Sequence, residues 1–390
     1  MVLTGGALAS TSSAASATAA GSLRAHLGAT AGDSPNGTLA AVACKGARFC
    51  VAVGWSINNA GHDVALAETW NGKAWRIRNT PDPGGMSVSL SGVSCISPKV
   101  CTAVGTYFAT SDFMTLAERW NGRTWKVQPT PNPLGGTSVE LAGVSCASSK
   151  VCTAVGRYVS SGDYVPLAEG WNGKTWHIQT TPNPQSSTST SLVGVSCTSK
   201  TACTAVGESI ISGVVATLAE RWNGKSWTKQ VTSNPTGAFA SLGGVSCTSK
   251  RSCSAAGDAN GVTLAEYWNG KTWAVQATPD PRGGANFGLA SLACATKAAC
   301  TAVGDYTLAS SYVTLAEHWN GKTWAVQTTA NPRGSTRVQL GGVSCASSTA
   351  CTAVGSYLTG PIVEATLAEH WNGKTWVIQA TSNRSGKVPS

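Results

Sequence analysis

Charge is scarce in this 390-residue chain: Asp, Glu, Lys and Arg make up 12% of it, and only 18 residues are acidic. The five histidines (His26, His62, His177, His318, His370) share no common spacing, so four convergent metal ligands are not in view and neither a resident metal nor a cofactor is expected. No stretch approaches 18 consecutive apolar residues, so no helical membrane span is expected. Sustained helical periodicity is missing, which argues against helical repeats. So are a Gly-rich phosphate loop with its Lys, a calcium loop of clustered aspartates, and a Ser/His/Asp set arguable from spacing. The net charge of +10 and pI near 9.0 permit an anionic partner. The cations are nevertheless dispersed along the chain without a Lys/Arg run, so no specific nucleic-acid partner is expected.

Cysteine, by contrast, is plentiful and regular. The 14 cysteines form the pairs Cys44/Cys50, Cys95/Cys101, Cys146/Cys152, Cys197/Cys203, Cys247/Cys253, Cys294/Cys300 and Cys345/Cys351, with none left over. Such pairing reads as seven local disulfides and an oxidising, extracytoplasmic setting. Metal binding and free buried thiols are the alternatives. Residues 1–36 read as a degraded or truncated signal region followed by a flexible linker: Met1 to Gly21 is rich in Ala, Ser, Thr and Gly, with Ala15-Ser16-Ala17 or Ala17-Thr18-Ala19 suited to cleavage, but a positively charged start is missing.

From residue 37 onward the cysteine pairs mark a unit of about 51 residues, repeated seven times. Each copy offers four short runs rich in Val, Thr, Trp and Cys, bounded by Gly, Pro, Asn and Ser. Four strands per unit and seven units predict an all-β, seven-bladed β-propeller with four antiparallel strands per blade, spanning 37–390. Blades are expected to begin near Gly37, Ser87, Ser138, Ser189, Ala238, Phe287 and Val338. The first strand should line the axis with small residues such as Gly143 and Ser145. Blade seven has its own complete fourth strand, so the ring is expected to close by blade-to-blade packing.

The most constant stretch is Leu167-Ala168-Glu169-Gly170-Trp171-Asn172-Gly173-Lys174-Thr175-Trp176 and its copies. Asn-Gly between strands predicts a two-residue turn that pairs Trp171 with Lys174 and Glu169 with Trp176. Strand alternation then gathers Leu167, Glu169, Trp171, Lys174, Trp176 and Ile178 on a packing face, leaving the variable positions of Gly170 and His177 outward. The repeated glutamates (Glu68, Glu118, Glu169, Glu220, Glu266, Glu317, Glu369) are read as structural anchors bonded to an indole N–H, a backbone N–H or a diagonal Lys. The second tryptophans (Trp75, Trp125, Trp176, Trp227, Trp273, Trp324, Trp376) are read as core.

Glu-x-Trp-Asn-Gly-Lys-Thr-Trp resembles the Asp-box, the Ser-x-Asp-x-Gly-x-Thr-Trp turn of sialidase-type propeller blades. Here Trp171 stands at the Asp and Glu169 at the Ser, so the likeness implies a structural turn and lends no support to sialidase activity. The whole unit, with Val-Ser-Cys-x5-Cys-Thr-Ala-Val-Gly and Thr-Pro-Asn-Pro, is similar to tandem repeats of secreted bacterial proteins of unknown function. That resemblance implies export and a repeat architecture, with no assigned chemistry.

A catalytic site is ordinarily built once, so a carboxylate present in every copy points away from catalysis, and no catalytic residue is assigned. Function is expected where the copies differ, in the loops joining strands two and three after Gly54, Gly105, Gly156, Gly207, Gly257, Gly304 and Gly355. Trp55, Tyr107, Tyr158, Tyr306 and Tyr357 lie near their starts and are the ligand-binding candidates; covering blade edges is the plainer reading of the same rings. The expectation is a secreted or cell-envelope-associated, non-catalytic binding module for a glycan or an extracellular protein. A glycan-active enzyme with one axial site, or a protein-interaction or structural envelope propeller, are the alternatives.

Overall fold

A computed structural model describes residues 36–58, 60–84, 87–235, 239–360 and 363–382. Apart from Asn36, the expected signal region and linker lie outside the described residues. The described chain forms 28 strands in seven antiparallel groups of four, each ordered one to four in sequence. Blade three illustrates the unit: Thr137–Ser148, Val151–Ser160, Asp163–Trp171 and Trp176–Gln179. A single parallel bridge, Tyr164 to Ser189, links blades three and four, and Tyr312 to Arg337 links six and seven.

First strands crowd around the axis, and glycine makes that approach possible. A Cβ on Gly143 would lie 2.5 Å from the Val193 carbonyl oxygen, and one on Gly342 would lie 2.8 Å from Ala41 Cα across the junction of blades seven and one. The glycine ending Cys-Thr-Ala-Val-Gly has a different task. It faces a bulge in the first strand, where a Cβ on Gly156 would sit 1.9 Å from the Glu140 carbonyl oxygen.

Apolar packing is shared between blades. Val104 and Ala117 of blade two pack with Leu141, Leu167 and Trp176 of blade three, and Val354 and Ala368 of blade seven pack with Leu39, Leu66 and Trp75 of blade one. Each fully buried leucine contributes about 1.5–3 kcal/mol. The last junction also repeats the polar contacts of the others: Cys44 N donates to Ser344 Oγ at 3.0 Å, as Cys146 N does to Ser94 Oγ at 3.0 Å. Asn36 adds a strap, its Oδ1 accepting from Glu364 N at 3.0 Å and its carbonyl from Ile57 N at 2.8 Å. The ring therefore closes by packing, without exchanging a strand.

All seven disulfides are local, joining cysteines six positions apart, and no cysteine among the described residues is free. Each links directly opposed residues of strands one and two: Cys44 with Cys50, Cys95 with Cys101, Cys146 with Cys152, Cys197 with Cys203, Cys247 with Cys253, Cys294 with Cys300 and Cys345 with Cys351. By the chain-entropy model such a short loop contributes about 2 kcal/mol.

The spacing alone predicts staples that act within one blade, and that expectation is too narrow. The second cysteines, Cys50, Cys101, Cys152, Cys203, Cys253, Cys300 and Cys351, are only 1 to 2% exposed and belong to the core between blades. In six of them the sulfur faces a hydroxyl of the preceding blade. Cys50 Sγ lies 3.8 Å from Thr352 Oγ1, Cys253 Sγ 3.6 Å from Thr204 Oγ1, Cys300 Sγ 3.8 Å from Ser254 Oγ and Cys351 Sγ 3.6 Å from Thr301 Oγ1; Cys152 and Cys203 meet Thr102 and Thr153 in the same way. Cys101 is the exception, because Val51 stands where other blades have Thr or Ser, and the two share an apolar cluster. These cysteines are thus enclosed structural groups rather than accessible site residues.

Three further expectations are corrected. In the Asn-Gly hairpin Trp171 pairs with Trp176 and Glu169 with Ile178, so four residues make the turn and Lys174 sits at its tip, off the packing face. The cause is the Asn172 side chain, whose Oδ1 accepts from Lys174 N at 2.9 Å and Thr175 N at 3.0 Å. Only Gly173 takes positive φ, +97°, whereas a two-residue primed turn needs it at both positions. The position of Gly170 does not look outward: its counterparts Arg119 and Arg221 reach the Ser149 and Lys250 carbonyls of the following blade. Finally, the supposed loops after Gly156 and its counterparts are largely continued strands. Ser160 pairs with Asp163 around Ser161 (φ 53°) and Gly162 (φ 90°), so the primed turn occurs on this rim instead.

Candidate functional site

The seven repeated glutamates are fully buried at 0% exposure. Three receive a backbone hydrogen bond from the connector leaving the preceding blade: Glu68 from Ser382 N (3.1 Å), Glu266 from Ser233 N (3.2 Å) and Glu369 from Ala330 N (3.2 Å). The other four, Glu118, Glu169, Glu220 and Glu317, lack a donor in hydrogen-bonding geometry among the described residues. Their equivalent connector residues are Pro81, Pro131, Pro182 and Pro279, which have no N–H. Burial raises the pKa of all seven. It reaches about 8 in Glu118, Glu169, Glu220 and Glu317, but about 7 in Glu68 and Glu369, where the backbone N–H offsets part of the desolvation. Enclosed groups of this kind cannot touch a substrate.

The paired tryptophans share that architectural role. Ring centroids lie 5.5 to 5.9 Å apart within each pair. The second indole donates to a glutamine of the preceding blade, as Trp227 Nε1 does to Gln179 Oε1 at 3.0 Å and Trp75 Nε1 to Gln379 Oε1 at 3.0 Å. Trp125 is the exception, because Arg78 replaces the glutamine and turns to Thr69 Oγ1 at 2.8 Å, leaving the Trp125 N–H without a partner among the described residues.

The five candidate aromatics fall into two positions. Trp55 directly follows its glycine, whereas Tyr107, Tyr158, Tyr306 and Tyr357 lie one residue later and leave the strand on the other face. All five are half-buried. Each tyrosine packs against its own blade's core, and Tyr306 stacks on Phe287 with centroids 5.4 Å apart. The structure does not bring the five into one cluster of exposed rings.

Two exposed rings on the same rim were not singled out from sequence. Phe239, 49% exposed, precedes the first strand of blade five, and Tyr312, 37% exposed, is the second residue of the third strand of blade six. Phe239 is held by Asn260 on both backbone groups: Asn260 N donates to the Phe239 carbonyl (2.9 Å), and Phe239 N donates to Asn260 Oδ1 (2.9 Å). Gly261 then abuts Asn286, which is exposed, and the Arg337 guanidinium lies 5.5 Å from the Tyr312 ring. Blades five to seven thus present aromatic faces together with amide and guanidinium donors.

Inward from this rim, the position after the strand-two glycine breaks the repeat. It is Arg157, Glu208, Asp258 and Asp305 in blades three to six, against Trp55, Thr106 and Ser356 elsewhere. Arg157 pairs with Glu140 at 2.6 Å and lies 4.3 Å from the Tyr164 ring. Burial raises Glu140 while Arg157 opposes it; burial likewise raises Glu208, which Arg157 lowers and Asp258 raises further. Asp258 is raised by burial and accepts from Ser241 Oγ at 2.9 Å, and burial pushes Asp305 to about 6. No group of three His, Cys, Asp or Glu among the described residues could hold a metal.

On the opposite, tight-turn rim, a groove of about 650 Å³ runs between the outer strand of blade three and the Asn-Gly turn of blade four. His177, Gln179, Trp222, Lys225 and Trp227 line it. It joins a half-buried indole to an exposed ammonium.

No family model matches the chain, and no curated protein matches it. Among solved structures it is similar to YCF48 bound to D1 peptide (13% identity, TM-score 0.52, covering 87% of this chain and 92% of that one). It is also similar to YCF48 from Cyanidioschyzon merolae (14%, 0.51, 85% and 95%) and to the polysaccharide lyase PL25-Ulvanlyase bound to -[GlcA(1-4)Rha3S]- (9%, 0.57, 89% and 97%). These likenesses, at such low identity, establish the fold: this chain is an all-β, seven-bladed propeller built from tandem repeats.

Proposed function

We propose that this propeller is a secreted or envelope-associated, non-catalytic binding module whose 2–3 hairpin rim recognises a cell-surface or extracellular glycan. The observation that carries the reading is the run of exposed Phe239, Asn260, Asn286, Tyr312 and Arg337 across blades five to seven. Aromatic faces beside amide and guanidinium donors suit stacking and hydrogen bonding to sugar rings. Half-buried Trp55, Tyr107, Tyr158, Tyr306 and Tyr357 support the rim and contribute their edges. Seven disulfides fit an oxidising compartment. That one solved propeller of similar fold, YCF48, is bound to D1 peptide and another, PL25-Ulvanlyase, to -[GlcA(1-4)Rha3S]- is compatible with a protein or a glycan partner.

A bacterial and host glycan array, followed by titration of each hit, tests this. The expectation is binding without change to the glycan, weakened roughly tenfold or more by Tyr312→Ala or Phe239→Ala. Retained affinity in both variants would remove the proposed site; binding of a protein but no glycan would favour the interaction-module alternative. A second reading, a glycan-active enzyme, is favoured by one feature: Glu140, Glu208, Asp258 and Asp305 break the repeat together, with pKa values raised. Turnover of an array hit, lost in Glu208→Gln or Asp258→Asn, would establish that reading over the first.

A further inference from the structure

Cations dispersed in sequence at the repeat period come together in space. Every blade places its Cys-x5-Cys turn against its own Asn-Gly turn: a Cβ on Gly122 would lie 3.1 Å from Lys99 Cγ, and one on Gly173 would lie 3.1 Å from Lys150 Cβ. In six blades both turns carry exposed Lys or Arg, as in the pairs Lys99 with Arg123, Lys150 with Lys174 and Lys200 with Lys225, and in blade seven only the Asn-Gly turn does, with Lys374. Fifteen of the 28 cations in the chain lie in these turns, at least one in each blade. None of the 18 acidic residues does; those among the described residues belong to the interblade core, the connectors and the opposite rim. Among the described residues the tight-turn rim is thus purely cationic, whereas the rest, with its buried glutamates protonated, carries acids and cations in near balance.

We propose that the tight-turn rim is a binding surface for an extended anionic polysaccharide, its charges carboxylate or sulfate, distinct from the hairpin-rim site and independent of it. A ring of ammonium and guanidinium groups without a carboxylate to neutralise them concentrates a polyanion along its circumference. The groove beside Trp222 and Lys225 adds what a bare charged ring lacks, an indole flank for a sugar ring next to a cation for its acidic group. Seven disulfides put the protein where acidic glycans rather than nucleic acids are the abundant polyanions. The turns spend backbone groups, the Asn side chain and a Ser or Thr hydroxyl on their own structure, Lys225 N donating to Asn223 Oδ1 at 2.8 Å and Asn223 Nδ2 to Ser226 Oγ at 3.1 Å, and the exposed Lys225 ammonium is not used by the turn.

The test uses the whole chain against immobilised polygalacturonate and heparin, with dextran as the uncharged control and a 30-nucleotide single-stranded DNA as the competing polyanion. Expected are binding to the acidic glycans but not dextran, and weakening by about tenfold between 50 and 300 mM salt as the charges are screened. K174E/K225E should lower affinity by about tenfold, whereas R282E/R333E, an equal charge change in the connectors of the opposite rim, should leave it within about twofold. Thermal unfolding of each variant checks that the fold persists. Binding to neither glycan, equal losses in the two double variants, or tighter binding to DNA than to both glycans would overturn the proposal. Tyr312→Ala should not alter this binding, which separates its failure from failure of the hairpin-rim site.

Discussion

Glu169 illustrates how one neighbouring residue sets the chemistry of a buried acid. With Pro131 opposite, the carboxyl has no backbone N–H to accept from and stays protonated at neutral pH, its pKa near 8. Glu169→Gln should therefore change stability by less than about 1 kcal/mol near pH 4, where the carboxyl is neutral in the folded and unfolded chains alike, and should stabilise the fold increasingly as pH rises to 7, because only the glutamate of the unfolded chain then ionises. Pro131→Ser should restore the donor that Ser382 gives Glu68 and move the Glu169 pKa from about 8 toward about 7, read by carboxyl carbon NMR titration. An unchanged titration would mean the connector does not set it. The constancy of Glu was legible in the repeat; which of an indole N–H, a backbone N–H or a Lys it meets was not. Nor was the fourfold absence of the backbone bond, because it depends on a residue about 38 positions earlier, in another blade.

Among the elements, the outer hairpin is where sequence pattern and geometry parted. Asn-Gly reads as a two-residue turn, but the adjoining Thr and Lys let the Asn172 carboxamide cap two backbone N–H groups, and the capped four-residue turn aligns Trp171 with Trp176. Asn172→Ala should cost about 1 kcal/mol in that blade, measured by denaturant unfolding, while Lys174→Ala should cost almost nothing. Between blades, Arg78 interrupts the Trp-to-Gln bond chain at Trp125. Arg78→Gln should supply the missing acceptor and raise stability by about 0.5–1.5 kcal/mol; a loss of that size would show that Arg78 and Thr69 contribute more than the indole bond. Four strands, the pairing of Cys50, Cys101 and their counterparts, and packing closure were all readable because they recur. That the second sulfur also seals the junction with the preceding blade was not, since spacing within a repeat says nothing of what lies across the interface. The exposed Phe239 and Tyr312 escaped for a related reason: each occurs once, and its exposure is decided by how neighbouring blades meet.

At the scale of the whole molecule, seven buried carboxyls with raised pKa values link stability to pH. Below about pH 4.5, the ordinary value, folded and unfolded chains are both protonated at these sites, and the folded state has its full contribution. As pH rises the unfolded chain ionises first, so the folded chain holds more protons and stability falls until about pH 8, then levels. Thermal unfolding midpoints should decline from pH 5 to pH 8.5; a rise over that interval would contradict the protonated interfaces. The cationic rim is also a whole-molecule property, invisible in a linear search for Lys/Arg runs because its members stand about 50 residues apart.

The central claim is that the buried repeated residues hold the ring, while recognition at the hairpin rim, unlike the charge-driven binding proposed for the tight-turn rim, resides where the copies differ. Calorimetric titration of one array-selected uncharged glycan against the wild-type chain, Tyr312→Ala and Glu169→Gln tests it most directly. The account predicts a single site per chain, affinity lost in Tyr312→Ala and unchanged in Glu169→Gln. Several equivalent sites per chain, weakened by Glu169→Gln and indifferent to Tyr312→Ala, would place recognition in the repeat itself and contradict it.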